Sequence, residues 1–457
     1  MRATLVHTVL CTIALSACQQ ATAQPHAQHR PDATPSNDAG PSTPQPQAAA
    51  PELDGNDDES TANSHAVLPA HLRFERVGRA PGGLQRICDL RVFHGALYVA
   101  LANQPLGSDG AVIARYDPNA TTRTAWSLAF DWNRPGQPTR GGGGGQGFLR
   151  VRAIDGVLYV PDADPPYNGF GLADRGTEGY VFVSDRQGQF APARGPTLRP
   201  PRSPDADGTH GAAVLPRAYH VLDVLRFRGQ IYASTGSVPP RERAWVGPSP
   251  GALHLAQPQG RRWTFAVDYP HPWRDGVWRL TFMTRFRGAI YAGIQDYDGR
   301  EPNDMVVIAP PVGVTTLAQE HVRALRVTPH GGALTLRWFA DRGRLFWIAR
   351  EQTGHVALRV SDDGESFREI PFADPNERPS DIVRYGDSLA VLAESGLYRL
   401  DISNTNASLT RIAESPTVTR GRAFRVNDYF CAPPLAVLHD VLYAGSSQGA
   451  ALYRLTP

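Results

Sequence analysis

The sequence predicts an all-β chain folded as a β-propeller of seven blades, with six or eight blades as the alternatives. Three observations point there. One hairpin pattern recurs seven times. The last copy stops a strand short, while an unpaired strand precedes the first copy. No segment carries long helical periodicity.

The repeat is an alternating apolar segment, a tight turn, and then an apolar-Tyr-small run. It first appears as Leu90-Arg91-Val92-Phe93-His94-Gly95-Ala96-Leu97-Tyr98-Val99-Ala100. It returns as Ile154-Asp155-Gly156-Val157-Leu158-Tyr159-Val160, and then around Gly229 (Phe227 to Ala233) and Gly288 (Phe286 to Ala292). Weaker copies surround Gly343, Gly386 and Asp440. Each reads as strand A, a turn in which glycine permits positive φ, and strand B. Further strands follow in most copies, as in Val112 to Tyr116 and Thr124 to Leu128. Turn positions lie 43 to 73 residues apart, a period that fits four-stranded blades.

The last copy offers Leu435 to Leu438, Leu442 to Gly445 and Ala451 to Leu455, and then the sequence ends without a fourth strand. The orphan segment Leu72-Arg73-Phe74-Glu75-Arg76-Val77 is expected to fill that outer edge. It would close the ring by strand exchange and remove an exposed edge. Cys88 and Cys431 lie just before strand A of the first and last copies, which a closed ring makes neighbours. A Cys88–Cys431 disulfide would then staple the ring; two free buried thiols are the alternative.

The amino terminus differs in kind. Met1-Arg2 is a weak positive region, and Ala3 to Ala14 is apolar but too short to span a bilayer. Leu15-Ser16-Ala17-Cys18 follows and resembles the lipobox of bacterial lipoproteins. The resemblance implies cleavage before Cys18 and a diacylglycerol thioether on it, with several acyl chains making a stable membrane anchor. Gln19 in place of aspartate leans toward the outer membrane. An ordinary secretory signal cut near Ala21-Thr22-Ala23 is the other reading. Residues 19 to about 67 are Ala, Pro, Gln, Asp, Ser and Asn with almost no large apolar side chains, so ordering them would not be offset by burial. The expected organisation is a signal peptide over 1–17, a lipidated cysteine and tether over 18–67, and a propeller over 68–457.

Ser361-Asp362-Asp363-Gly364-Glu365-Ser366-Phe367 and Ser184-Asp185-Arg186-Gln187-Gly188-Gln189-Phe190 resemble degenerate Asp-boxes of sialidase-like propellers. That resemblance implies a structural turn: carboxylate and hydroxyl bond turn amides, and the aromatic packs into the blade. The sialidase catalytic pattern does not carry over. Arg86-Ile87-Cys88 lacks the proline of its leading arginine motif.

Candidate ligand positions fall five residues past the strand-B aromatic, all on one face of a ring: Asn103, Asp164, Ser237, Asp296, Glu351, Glu394 and Gln448. The loop Asp162-Ala163-Asp164-Pro165-Pro166-Tyr167, running on to Asp174, is a long insertion of the kind that carries function. Its aspartates could hold a divalent cation through oxygen, although the spacing matches no EF-hand loop. No other cofactor is expected. His210, His220, His254 and His271 cluster in sequence. A His220–Asp223 contact could orient a base or a metal ligand. Tyr297, between Asp296 and Asp298 and followed by Arg300-Glu301, adds a polar surface.

Several classes are excluded by residue pattern. All 46 basic residues are arginine, scattered, with a formal net charge of +2, which leaves no electrostatic footprint for nucleic acid. Gly141 to Gly145 lacks the Lys-Ser/Thr of a P-loop. There is no CxxC and no HExxH. What remains is a monomeric envelope propeller binding a glycan or partner protein without catalysis, a carbohydrate-active hydrolase or lyase, or a structural envelope component.

Overall fold

The structure is a computed structural model. It describes residues 66–103, 110–121, 123–132, 147–163, 178–190, 211–216, 218, 220–236, 251–257, 263–269, 278–296, 299–402, 406–419, 421–427 and 430–457. The expected signal peptide, Cys18 and the expected tether up to residue 65 lie outside the described residues. So do Asp164, Tyr167, Ser237, Tyr297, His210 and His271.

The fold is all-β and propeller-like. The lone strand β1 (Arg73–Arg79) comes first. The first meander is β2 (Arg86–Phe93), β3 (Ala96–Ala102), β4 (Val112–Tyr116) and β5 (Trp126–Asp131). The second is β6 (Arg152–Ile154), β7 (Val157–Pro161), β8 (Glu178–Val183) and β9 (Gly211–Pro216). The third is β10 (His220–Phe227), β11 (Gln230–Gly236), β12 (Ala252–Ala256) and β13 (Trp263–Asp268). The fourth is β14 (Trp278–Phe286), β15 (Ala289–Asp296), β16 (Met305–Ile308) and β17 (Val322–Leu325). The fifth is β18 (Leu334–Asp341), β19 (Arg344–Arg350), β20 (Val356–Ser361) and β21 (Arg368–Glu369). The sixth is β22 (Pro379–Tyr385), β23 (Ser388–Ala393), β24 (Gly396–Ile402) and β25 (Ala407–Glu414). A two-stranded ribbon, β26 (Thr417–Val418) and β27 (Gly421–Arg422), precedes β28 (Leu435–Leu438), β29 (Val441–Gly445) and β30 (Ala451–Thr456).

The final sheet has the order β1-β30-β29-β28, so the amino-terminal strand does supply its fourth member. Arg73 pairs with Thr456 and Arg79 with Ala451. Among the described residues there are five four-stranded sheets, one eight-stranded sheet and the ribbon. The sequence expectation of seven separate blades differs here. The third and fourth meanders are fused through one pairing, Gly236 with Arg279. The residue type explains the join: a Cβ on Gly236 would stand 2.3 Å from Arg279 Cγ and 2.9 Å from the Trp278 carbonyl oxygen. The leading strands touch in chain order, from β2 through β6, β10, β14, β18 and β22 to β28, and β28 touches β2.

Burial explains the strand patterns. β2 and β3 are buried at every position, as expected of strands covered on both faces, while β1 and β5 mix exposed and covered positions. The repeat tyrosine has an inter-sheet task. A Cβ on Gly188 would meet the Tyr98 hydroxyl at 2.1 Å, and one on Gly364 would meet the Tyr291 hydroxyl at 2.0 Å. Both glycines have positive φ, +78° and +83°, so glycine serves both the turn and the close approach. Tyr232 instead donates to the Thr315 carbonyl at 3.1 Å. Burial pushes the phenols of Tyr159, Tyr232, Tyr291 and Tyr443 up to about 12.

The turns built from Ser361 to Phe367 and Ser184 to Phe190 have the expected bonds. Asp363 Oδ1 accepts from the amides of Glu365 and Ser366 at 2.7 and 2.8 Å. Asp185 Oδ1 accepts from those of Gln187 and Gln189 at 2.9 and 2.8 Å. These bonds hold the Asp363 carboxyl down at about 2. Phe367 packs on Trp347, and Phe190 on Phe130.

Cys88 and Cys431 form a disulfide, with Cα atoms 4.4 Å apart across 343 residues of sequence. Cys88 sits inside β2 rather than just before it, and Cys431 precedes β28 by four residues.

Candidate functional site

The leading strands bring a buried charge network to the middle of the fold. Each of β2, β10 and β22 carries an aspartate immediately after a β-bulge: Asp89, Asp223 and Asp381. The bulge re-aims the side chain toward the next meander, where each carboxylate caps a backbone amide. Asp89 Oδ2 accepts from Val151 N at 2.9 Å, Asp223 Oδ2 from Met283 N at 2.8 Å, and Asp381 Oδ2 from Leu435 N at 2.7 Å.

Arginines from the second and fifth meanders neutralise these acids. Arg152 grips Asp223 through Nε at 2.8 Å and Nη2 at 2.6 Å, a bidentate pair. Arg337 reaches Asp89 Oδ1 at 3.1 Å and Asp381 Oδ1 at 3.2 Å, and donates to the Cys88 carbonyl at 3.0 Å. Arg150 stands apart. It donates to the carbonyls of Leu149 and Leu336 at 3.1 and 2.7 Å and lies 3.6 Å from the Phe282 ring centroid. Burial, reinforced by the neighbouring Arg337, lowers its pKa to about 9. Asp89, Asp381, Arg150, Arg152 and Arg337 line a cavity of about 100 Å³ together with Trp338 and Arg384.

The sequence-based candidates have a different geometry from the one expected. Asp223 gives both oxygens to Arg152 and to the amides of Val224 and Met283. The expected His220–Asp223 pair is therefore replaced, because an arginine from the adjoining meander is the better partner. His220 is buried and accepts from Arg279 Nη2 through Nε2 at 2.7 Å. Burial, then the Arg279 charge, hold its pKa well below the usual value, so the ring is neutral at neutral pH. Arg279 also reaches Gln295 Oε1 at 3.4 Å and lies over the Phe430 ring. His254 is buried beside Thr235 and Phe265.

The described rim residues are engaged with neighbouring segments or with their own loop. Asn103 Oδ1 accepts from Gln85 N at 3.0 Å, Asp296 Oδ2 from Arg300 N at 2.7 Å, and Glu394 Oε1 from Val426 N at 2.6 Å. Glu351 pairs with Arg359, and Gln448 donates to the Arg422 carbonyl at 3.1 Å. Asp162 is fully buried; Oδ2 accepts from Tyr180 N at 3.1 Å, while Oδ1 has no hydrogen-bond partner among the described residues. Burial pushes its carboxyl well above the ordinary range. Beside this rim, Glu301 Oε1 collects Tyr269 at 3.1 Å and Asn303 Nδ2 at 2.7 Å. Among the described residues, no group of three His, Cys, Asp or Glu is placed to hold a metal ion.

The Arg–Asp axis was missed by sequence reasoning, although a signal existed. Asp89 and Asp223 each lie six residues before the turn glycine, and Asp381 lies five before.

No protein-family model matches the chain, and no curated protein matches it. Solved structures do. The computationally designed Ika8 protein aligns at 9% identity over 83% of this chain and 99% of that one, with a TM-score of 0.42. Polysaccharide lyase Uly1 aligns at 10% identity over 83% and 90%, with a TM-score of 0.43. The WD40 β-propeller domain of Doa1 aligns at 8% identity over 84% and 97%, with a TM-score of 0.40. At these identities and scores none transfers a substrate or a residue role to this chain.

Proposed function

We propose that the chain is a lipid-anchored protein of the bacterial cell envelope, held at the outer membrane through Cys18. Its seven meanders form a closed seven-bladed ring that binds a glycan or an envelope protein without catalysing a reaction. The seven-blade count treats the eight-stranded sheet as two blades joined at Gly236. It is supported by the closing contact of β28 with β2.

The observation that carries the non-catalytic reading is the engagement of the described rim carboxylates. Asp296 accepts from an amide of its own loop, Glu351 pairs with Arg359, and Glu394 accepts from the Val426 amide of the segment before β28. Asp89, Asp223 and Asp381 are used in holding strands together. A glycosidase needs two carboxyl groups facing one cleft, one of them free to protonate a leaving group. The binding surface in this reading is the rim; the sequence candidates Asp164, Tyr167 and Tyr297 lie outside the described residues.

The test has two parts. Cys18→Ala should release the protein from the membrane fraction; retention in the membrane pellet would refute the anchor. The full chain is then screened by thermal shift against envelope glycans. A ligand at about a hundred times its dissociation constant adds roughly 2.7 kcal/mol, a readable shift. No shift with any glycan would leave the protein-partner branch, tested by crosslinking in the native envelope. Failure of both would overturn the binding reading.

A further inference from the structure

We propose that the central cavity is a binding site for a small monovalent anion, of halide size, held by Arg150 with Arg337 beside it. The argument starts from saturation. The three carboxylates of the network have their oxygens engaged: Asp89 by Arg337 and Val151 N, Asp223 by Arg152 and two amides, Asp381 by Arg337 and two amides. Arg150 is 3% exposed and has no carboxylate within ion-pair distance among the described residues. Its protein acceptors are two carbonyls, which engage two of a guanidinium's five N–H donors. The Phe282 face offsets a small part of its charge.

The Asp89 and Asp223 charges act on Arg150 only across space; a buried cation in no ion pair is costly, and this one lines an open volume. The cavity of about 100 Å³ has room for a small ion and a few waters. Asp89 and Asp381 line the same space, and their charge disfavours a dianion such as sulfate or hydrogen phosphate. The chemistry therefore selects a small, singly charged anion, which would give the Arg150 guanidinium a direct ion-pair partner. Because Arg150 bridges the second meander to the Leu336 carbonyl in the fifth, anion binding would stiffen the middle of the fold.

The test uses the purified full chain at constant ionic strength, with gluconate replaced stepwise by bromide. Gluconate is too large for the cavity. The melting temperature should rise by a few degrees and then saturate. The Arg150→Met protein should melt at one temperature in both media. Equal melting temperatures for the unaltered chain in bromide and gluconate would overturn the proposal, as would an undiminished bromide response in Arg150→Met. Should that variant fail to fold, crystals of the unaltered chain grown in bromide decide the matter. An anomalous peak beside Arg150 is expected, and bromide found only at the surface would refute the site.

Discussion

Removing the disulfide tests how the two ends of the fold are held. Cys88 and Cys431 are separated by 343 residues, so the bond forbids a very large set of unfolded conformations. The loop-entropy relation gives about 6 kcal/mol for a loop of that length, and measured bonds fall short of it, so about 4–5 kcal/mol is expected. Unfolding entropy near 2.1 cal/mol/K per residue over roughly 390 residues is about 0.8 kcal/mol/K, which converts the loss to about 5–6 °C. The Cys88→Ala/Cys431→Ala protein should melt lower by that amount. Its urea slope should also be steeper, because an uncrosslinked chain exposes more surface on unfolding. Reductant should move the unaltered chain toward the double variant and leave the double variant unmoved. Coincident melting curves for the two proteins would refute the reasoning.

Asp223→Asn removes one partner of a buried bidentate pair and leaves Arg152 uncompensated; about 3–5 kcal/mol of stability should be lost in urea unfolding, and a loss under about 1 kcal/mol would contradict the role given to the network. Asp162 behaves in the opposite sense. Its carboxyl is pushed up in the folded state, so the folded protein binds the extra proton. Its contribution is fully present below the unfolded carboxyl value and is lost as pH rises toward the folded one. Asp162→Asn should therefore melt above the unaltered chain at neutral pH, with the gap closing as pH is lowered to about 4; a gap independent of pH would contradict it.

The parts of the fold that were legible in the sequence are those in which local chemistry repeats. A glycine turn followed by apolar-Tyr-small marks a hairpin because the turn needs positive φ and the tyrosine reaches a glycine in the next sheet, as Tyr98 does at Gly188. The strand exchange was legible from strand supply alone: β30 lacked a partner and β1 lacked a sheet. The fusion of the third and fourth meanders was not, since it depends on Gly236 meeting Arg279 across two repeats. The central network was hidden by abundance. With 46 basic residues, all arginine, nothing local separates Arg150, Arg152 and Arg337 from the surface arginines. The His220–Asp223 expectation weighed proximity in sequence and could not see Arg152, brought in from the preceding meander.

The measurement that bears most directly on the proposed function is turnover. Each envelope glycan that shifts the melting temperature is incubated with the full chain, and new reducing ends and unsaturated uronates are counted over time. A glycan-binding propeller without catalysis returns the glycan intact at every time point. Products accumulating in proportion to protein, and abolished on boiling, would contradict that account and make the rim an active site.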